Sequence, residues 1–251
     1  MQNKKTGIKE WTISIISFVF FCIIMFYIFM DGIGNKGSHG VSGFIEQDNL
    51  RKSLGDWYQL VFYTFQVNLY FVIIGMSWAF LHNNRIVQNL FFCSICFLLF
   101  CLFAMYVFEF KSFKTNAYES SKTLFVHCII PLSSFVILWF VRKEICLEWK
   151  WLWINSLYIT FYVILSVGIY YTHNFTEDSQ YPNQHLWIYG FLDYDNQIMF
   201  VPLPGLGLTV FGIIVTILIS PLIGMVLFIF IKWIFNLKIK SSHYHNENVW
   251  S

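Results

Sequence analysis

The sequence has 251 residues, of which 57% are hydrophobic, 21% are aromatic and only 12% are charged. Soluble domains carry about 25% charged residues, so this composition excludes an ordinary soluble domain. The formal net charge of +2, with no basic cluster, gives no reason to expect a nucleic acid as a partner.

Long apolar runs determine the predicted architecture. A hydrocarbon core of about 30 Å is crossed by about 20 helical residues, and six segments meet this length. The sequence therefore predicts an all-α fold, a polytopic bundle of six transmembrane helices, at residues 11–30, 57–81, 86–108, 123–141, 151–171 and 206–233. We expect a single transmembrane domain over residues 1–235, followed by a polar cytoplasmic tail over residues 236–251.

The distribution of Lys and Arg predicts the orientation in the membrane. With a cytoplasmic N-terminus, ten of these residues fall on the inner side and six on the outer side. The last outer loop, residues 173–205, has four acidic residues and no Lys or Arg. We therefore expect an integral cell membrane protein with both termini in the cytoplasm.

The second predicted helix is unusually polar. On a helical projection, Thr64, Asn68 and Gly75 share one stripe. A nearly opposite stripe carries further polar or hydroxyl-bearing residues, namely Gln59, Tyr63, Gln66, Tyr70 and Ser77. Polar side chains in hydrocarbon are costly unless they are paired. We therefore predict that other helices cover both faces and that this helix lies centrally.

His127 is the notable ionisable residue of the fourth predicted helix. An imidazole can act as a general base near neutral pH, or it can serve as a hydrogen-bonding group between packed helices. His127 and Thr64 both follow outer connections, so the rise per residue lets them share a layer in the outer part of the bilayer. Asp193 approaches from the same side. The three groups could form a nucleophile–base arrangement, although the same residue types also serve helix packing.

Three motifs resemble those of the androgen-inducible membrane protein family and its bacterial relatives. They are Tyr63-Thr64-Phe65-Gln66-Val67-Asn68-Leu69, His127-Cys128-Ile129-Ile130-Pro131-Leu132 and Trp187-Ile188-Tyr189-Gly190-Phe191-Leu192-Asp193. That family has six membrane helices, and its characterised animal members are threonine hydrolases of fatty acid esters of hydroxy fatty acids. Gly190 departs from the pattern, because the family usually has proline there.

The resemblance implies that Thr64 is a nucleophile and His127 its base in a hydrolase of lipid-like esters. Asn68, Tyr189 and Asp193 are then the expected substrate-binding residues, with Asn68 helping to position the substrate or the oxyanion. The implied partners are membrane lipid and a lipid-like ester that enters from the outer leaflet, and no cofactor is expected. No metal-ligand spacing occurs in the predicted helices, so no metal site is expected. The alternative is a non-enzymatic membrane protein, either a transporter or a structural partner.

Overall fold

The computed structural model describes residues 7–30, 60, 62–104, 117–172 and 206–239. Its α-helices are α1 (Ile8–Phe29), α2 (Tyr63–Leu81), α3 (Arg85–Ala104), α4 (Ala117–Leu124), α5 (Ile130–Val141), α6 (Lys150–Thr172) and α7 (Leu206–Ile234). A π-helical turn, Phe125–Ile129, connects α4 to α5. Two short parallel strands, β1 (Cys146–Leu147) and β2 (Lys238–Ile239), pair with each other.

Six helices in the described ranges are long and apolar enough to cross a membrane. One of them runs continuously from α4 through the π turn into α5, and the other five are α1, α2, α3, α6 and α7. The chain is therefore a multi-pass membrane protein, and the predicted all-α bundle of six spans is confirmed. Three helix starts differ from the prediction by three residues or more: α1 begins at Ile8, α2 at Tyr63 and the helix of the fourth span at Ala117.

The most enclosed helix is α3. All residues from Phe91 to Leu98 are buried, and α3 packs against α2, α5, α6 and α7. We predicted the central place for the second span, yet Ile73 and Phe80 of α2 are 48% and 71% exposed. The prediction of a central second helix was therefore wrong. Its polarity reflects contacts on particular faces, and the central position belongs to the more apolar α3.

Small residues let α1 and α2 approach closely. Ser14 Oγ accepts a hydrogen bond from the Ala79 backbone N–H at 2.9 Å and lies 3.2 Å from the Gly75 carbonyl. A methyl group added to Gly75 would overlap the side chain of Ser17. Close backbone approach at small residues is the usual way in which membrane helices associate. The buried stripe that begins at Thr64 thus ends in a helix contact.

A second close contact joins α6 to α7. Asn155 Nδ2 donates to the Gly224 carbonyl at 2.7 Å, and a Cβ at Gly224 would lie 2.6 Å from Ser156 Cα.

Pro221 of α7 lacks the N–H that the Ile217 carbonyl would accept in an α-helix. The hydroxyl of Ser220 lies 2.9 Å from that carbonyl and compensates for the missing donor.

At the end of the bundle where α1 begins, side chains of α3 fasten the connection between α5 and α6. Asn89 Nδ2 donates to the Cys146 carbonyl at 3.1 Å, and its Oδ1 accepts from the Glu148 N–H at 3.1 Å. The same segment pairs with β2, and Leu237 is buried. The packed part of the chain therefore continues to Ile239, past the predicted boundary at residue 235.

Candidate functional site

Thr64 lies in the first turn of α2, as its second residue. Its side chain is buried. The adjacent backbone N–H of Tyr63 donates to the hydroxyl of Tyr162 on α6 at 3.0 Å. First-turn N–H groups have no acceptor within their own helix, and the helix dipole places partial positive charge there. A hydroxyl at this position is therefore in a place that favours negative charge on oxygen.

The π turn that contains His127 has a local cause in Pro131. The Ile130 N–H donates to the carbonyl of Phe125, five residues earlier, which is the π-helical register. In this register the carbonyl of Val126 would accept from residue 131. Proline has no N–H, and the α-helical donor, Ile130, already bonds Phe125. The Val126 carbonyl therefore lacks a donor from its own helix.

Asn68 supplies that donor from α2. Its Nδ2 donates to the Val126 carbonyl at 3.1 Å and to the Thr64 carbonyl at 2.7 Å. The same nitrogen donates both bonds, so the backbone of Thr64 and the backbone next to His127 both lie within hydrogen-bond distance of Asn68 Nδ2. The predicted common layer for the two helix segments is thus built around Asn68, which is fully buried.

These bonds limit what Asn68 can do chemically. The reverse orientation of the amide would place Oδ1 against two carbonyl oxygens, so the hydrogen bonds fix the assignment. Both amide hydrogens are engaged, and Asn68 has none left for an oxyanion. The expected oxyanion role is corrected in this respect. Oδ1 is buried with no hydrogen-bond partner among the described residues, so it retains the capacity to accept a bond.

Of the other predicted site residues, the structure describes only His127. His127 is partly buried within the π turn. It lies ten positions beyond the start of α4, or about 15 Å along the helix. Tyr189 and Asp193 lie outside the described residues. The thiol of Cys101 on α3 lies 3.9 Å from Thr64 Oγ1 and adds a contact that was not predicted.

Two tyrosines of α6 were also missed. Tyr162 binds the start of α2, and the Tyr158 hydroxyl lies 3.3 Å from Gln66 Oε1. Gln66 in turn donates from Nε2 to the Leu60 carbonyl at 2.9 Å. The four-residue spacing of the tyrosines, which puts them on one face of a helix, was the available signal. Together they hold the Thr64 end of α2 against α6.

In the part of the chain that the structure describes, no group of three or more His, Cys, Asp or Glu residues could hold a metal ion. The candidate site consists of the Thr64 hydroxyl, the His127 imidazole, the Asn68 carboxamide and the Cys101 thiol. Its geometry depends on the backbone of α2 and of the π turn.

The fold and this site define the chain as an all-α, multi-pass membrane protein with a buried polar cluster near one end of α2. No family model, curated protein or solved structure matches the chain. The family resemblance of the three motifs therefore stays a prediction, and the roles of Thr64 and His127 are argued from local geometry.

Proposed function

We propose that the protein is a membrane-embedded hydrolase of lipid-like esters, with Thr64 as nucleophile and His127 as general base. The observation that carries this proposal is the pair of hydrogen bonds from Asn68 to the Thr64 and Val126 carbonyls. They hold the segment with the hydroxyl beside the turn with the imidazole. Single π turns within α-helices occur frequently at functional sites, which supports the same assignment.

The reaction would proceed through an acyl-threonine. Thr64 Oγ1 forms a bond to the ester carbonyl carbon while its proton passes to His127. The intermediate then releases the alcohol, whose oxygen takes the proton back from His127. Water attacks the acyl-threonine with proton transfer to His127, the carboxylic acid leaves, and Thr64 recovers its proton. Positive charge at the start of α2 would favour the oxyanion of each intermediate.

In this mechanism Asn68 acts as a positioning residue. Its Nδ2 holds the two backbone segments, and its Oδ1 remains available to accept a hydrogen bond from a ligand. Tyr189 and Asp193 keep their predicted roles in substrate binding. Membrane lipid is the proposed surrounding partner, and a lipid-like ester is the proposed substrate.

Labelling with a serine/threonine-directed fluorophosphonate tests the nucleophile. We expect the purified wild type and Thr64→Ser to be labelled, because both carry a hydroxyl at this position. We expect Thr64→Val, which keeps the shape of threonine, to lose labelling. Undiminished labelling of Thr64→Val with a wild-type melting temperature would remove Thr64 as the nucleophile, and absence of labelling in the wild type would favour a non-enzymatic role.

We also propose that both termini face the cytoplasm and that the protein resides in the cell membrane. The excess of Lys and Arg on that side supports this orientation. Alkaline phosphatase fused after residue 251 should be inactive, whereas a fluorescent protein fused at the same place should fluoresce. An active phosphatase fusion would reverse the assigned orientation.

A further inference from the structure

Four cationic side chains lie on one part of the bundle end where α1 begins. We call them the basic cluster, and they are Arg142, Lys143, Lys232 and Lys238. Arg142 is the C-cap residue of α5, with Lys143 next to it. Lys232 lies in the last turn of α7 and Lys238 in β2. The cluster therefore combines the ends of two membrane spans that are distant in the sequence.

Two contacts hold these chain segments together. The ring of Phe235 lies 6.2 Å from the ring of Trp139, so the end of α7 packs against the end of α5. In the strand pair, Lys238 lies opposite Cys146, which is four residues beyond Arg142. The packing of the bundle thus brings the positive charges of both segments to a common surface.

The carboxylates that the structure describes at this end do not neutralise the basic cluster. There are three of them, and each has another partner: Glu10 accepts a hydrogen bond from the Gly7 N–H, Glu144 pairs with Lys9, and Glu148 pairs with Lys150. Within the described ranges, none of the four clustered cations forms an ion pair. The surface therefore carries a local excess of positive charge, which favours an anionic partner.

Arg142 is held in an orientation that suits a phosphate group. Its guanidinium carbon lies 3.4 Å from the centroid of the Trp139 ring. This cation–π contact occupies one flat face of the guanidinium and leaves the N–H groups at its edges. Those N–H groups can bind two oxygens of one phosphate, a geometry that a lysine cannot provide.

The apolar neighbours of the cluster indicate that the phosphate belongs to a lipid. Trp139, Phe140 and Trp233 are 53%, 65% and 76% exposed, and they lie at the ends of two helices that are apolar enough to cross a membrane. Tryptophan at such positions is typical of the boundary between lipid and water. A soluble acidic protein would contact only the cations, whereas a phospholipid would contact the cations with its headgroup and the exposed rings with its acyl chains.

We propose that the basic cluster binds the phosphate headgroup of an anionic phospholipid, whose acyl chains lie along the exposed rings of α5 and α7. This surface is at the opposite end of the bundle from Thr64, so its role goes beyond the hydrolase function and does not depend on it. With both termini in the cytoplasm, as proposed above, the surface faces the inner leaflet, which carries anionic lipids.

Native mass spectrometry of the full-length protein in detergent micelles tests this site. The probes are phosphatidylglycerol and phosphatidylcholine with identical acyl chains. We expect the wild type to bind phosphatidylglycerol at least about tenfold more tightly, equivalent to ~1.4 kcal/mol. A higher salt concentration should weaken the binding of this lipid alone. Equal affinities for the two lipids would overturn the proposal.

Two arginines at the same end of the bundle provide matched variants. Arg142→Gln should weaken binding of phosphatidylglycerol about fivefold, equivalent to ~1 kcal/mol. Arg85→Gln removes the same charge from the exposed start of α3, outside the cluster, and should leave the affinity unchanged. Arg142→Lys keeps the charge without the planar group and should give an intermediate affinity. Equal losses in Arg142→Gln and Arg85→Gln would show that only the overall charge matters and would overturn the site.

Lys238→Gln guards against an effect of misfolding. Its side chain is exposed, so the melting temperature without added lipid should match that of the wild type. We expect a loss of phosphatidylglycerol affinity similar to that of Arg142→Gln. Unchanged affinity in Lys238→Gln would separate β2 from the site and contradict a cluster built from both segments.

Inorganic phosphate distinguishes a lipid site from a general anion site. At equal ionic strength, ammonium phosphate should displace phosphatidylglycerol no better than ammonium acetate does, because the acyl chains contribute to binding. Complete displacement by phosphate at concentrations near those of the lipid would overturn the lipid assignment.

Discussion

Asn68 on α2 gives the Val126 carbonyl the hydrogen bond that this carbonyl lacks within its own helix. The Nδ2–O distance is 3.1 Å. The need arises at Pro131, which has no N–H, while the Ile130 N–H is engaged by the Phe125 carbonyl. A defect in one span is thus repaired by a side chain of another, and this repair brings the segments of Thr64 and His127 together.

The dependence between Asn68 and Pro131 can be measured as a coupling energy. Asn68→Leu leaves a buried carbonyl unsatisfied, so we expect a loss of about 1–3 kcal/mol in the free energy of unfolding. In a Pro131→Ala background the same substitution should cost less, because residue 131 can then donate its own N–H. Reversible unfolding in mixed micelles of all four proteins gives the coupling, which we expect to be at least about 0.5 kcal/mol. Strictly additive losses would contradict the repair.

His127 and His82 form a natural comparison for catalysis. His127 lies in the π turn, whereas His82 follows α2 at the opposite end from Thr64. Loss of a general base lowers rates by about 10²–10⁴-fold, and we expect this effect on ester hydrolysis for His127→Ala. His82→Ala should retain hydrolysis close to that of the wild type. Equal activities of the two variants would remove His127 from the mechanism.

Tyr162 is expected to affect both stability and rate. Tyr162→Phe removes the hydroxyl that accepts the Tyr63 N–H beside Thr64. A lost acceptor at a helix start costs about 0.5–2 kcal/mol, so the melting temperature should fall slightly. If Tyr162 positions α2, kcat for ester hydrolysis should fall more than KM changes. Tyr158→Phe, which leaves the Tyr63 N–H bond intact, is the control and should retain a larger kcat.

Alanine substitutions at three glycines in membrane spans test whether the close helix contacts stabilise the protein. Gly75→Ala and Gly224→Ala should each destabilise the protein by about 1–3 kcal/mol, because a new methyl group overlaps α1 or α6. Gly168→Ala is the matched control, because nothing lies within 4 Å of the added Cβ. Alanine is the better helix former, so this variant should be neutral or more stable. Thermal unfolding in detergent compares the three, and an equal loss in all of them would contradict the packing argument.

The membrane spans could be predicted because hydrocarbon imposes a length and a composition on every crossing helix. The exceptions have physical reasons. The helix that contains the fourth span begins at Ala117, six residues before the predicted start, and its first turns include the polar segment Tyr118–Lys122. Such residues lower the local hydropathy although they are helical. Centrality was misjudged because a polar helix was assumed to need cover on all sides, whereas α3 is enclosed through its apolar length.

Less of the candidate site was visible in the sequence. The buried stripe of Thr64, Asn68 and Gly75 followed from helical periodicity. The role of Asn68 did not, because it depends on a carbonyl of another span and on the hydrogen-bond register next to Pro131. Pro131 is evident in the sequence, but a proline alone does not specify whether a helix kinks, breaks or takes a π turn. The contact from Tyr162 likewise depends on how α6 packs against α2.

The parallel pairing of β1 with β2 has a consequence for the order in which the protein assembles during synthesis. Lys238 and Ile239 leave the ribosome after all six spans, whereas their partners Cys146 and Leu147 precede the fifth. Until β2 has been synthesised, the connection between α5 and α6 can form the hydrogen bonds to Asn89 but lacks its strand partner. The β1–β2 pair can therefore form only after the last membrane span has been synthesised, which makes this pairing a late step in the assembly of the bundle.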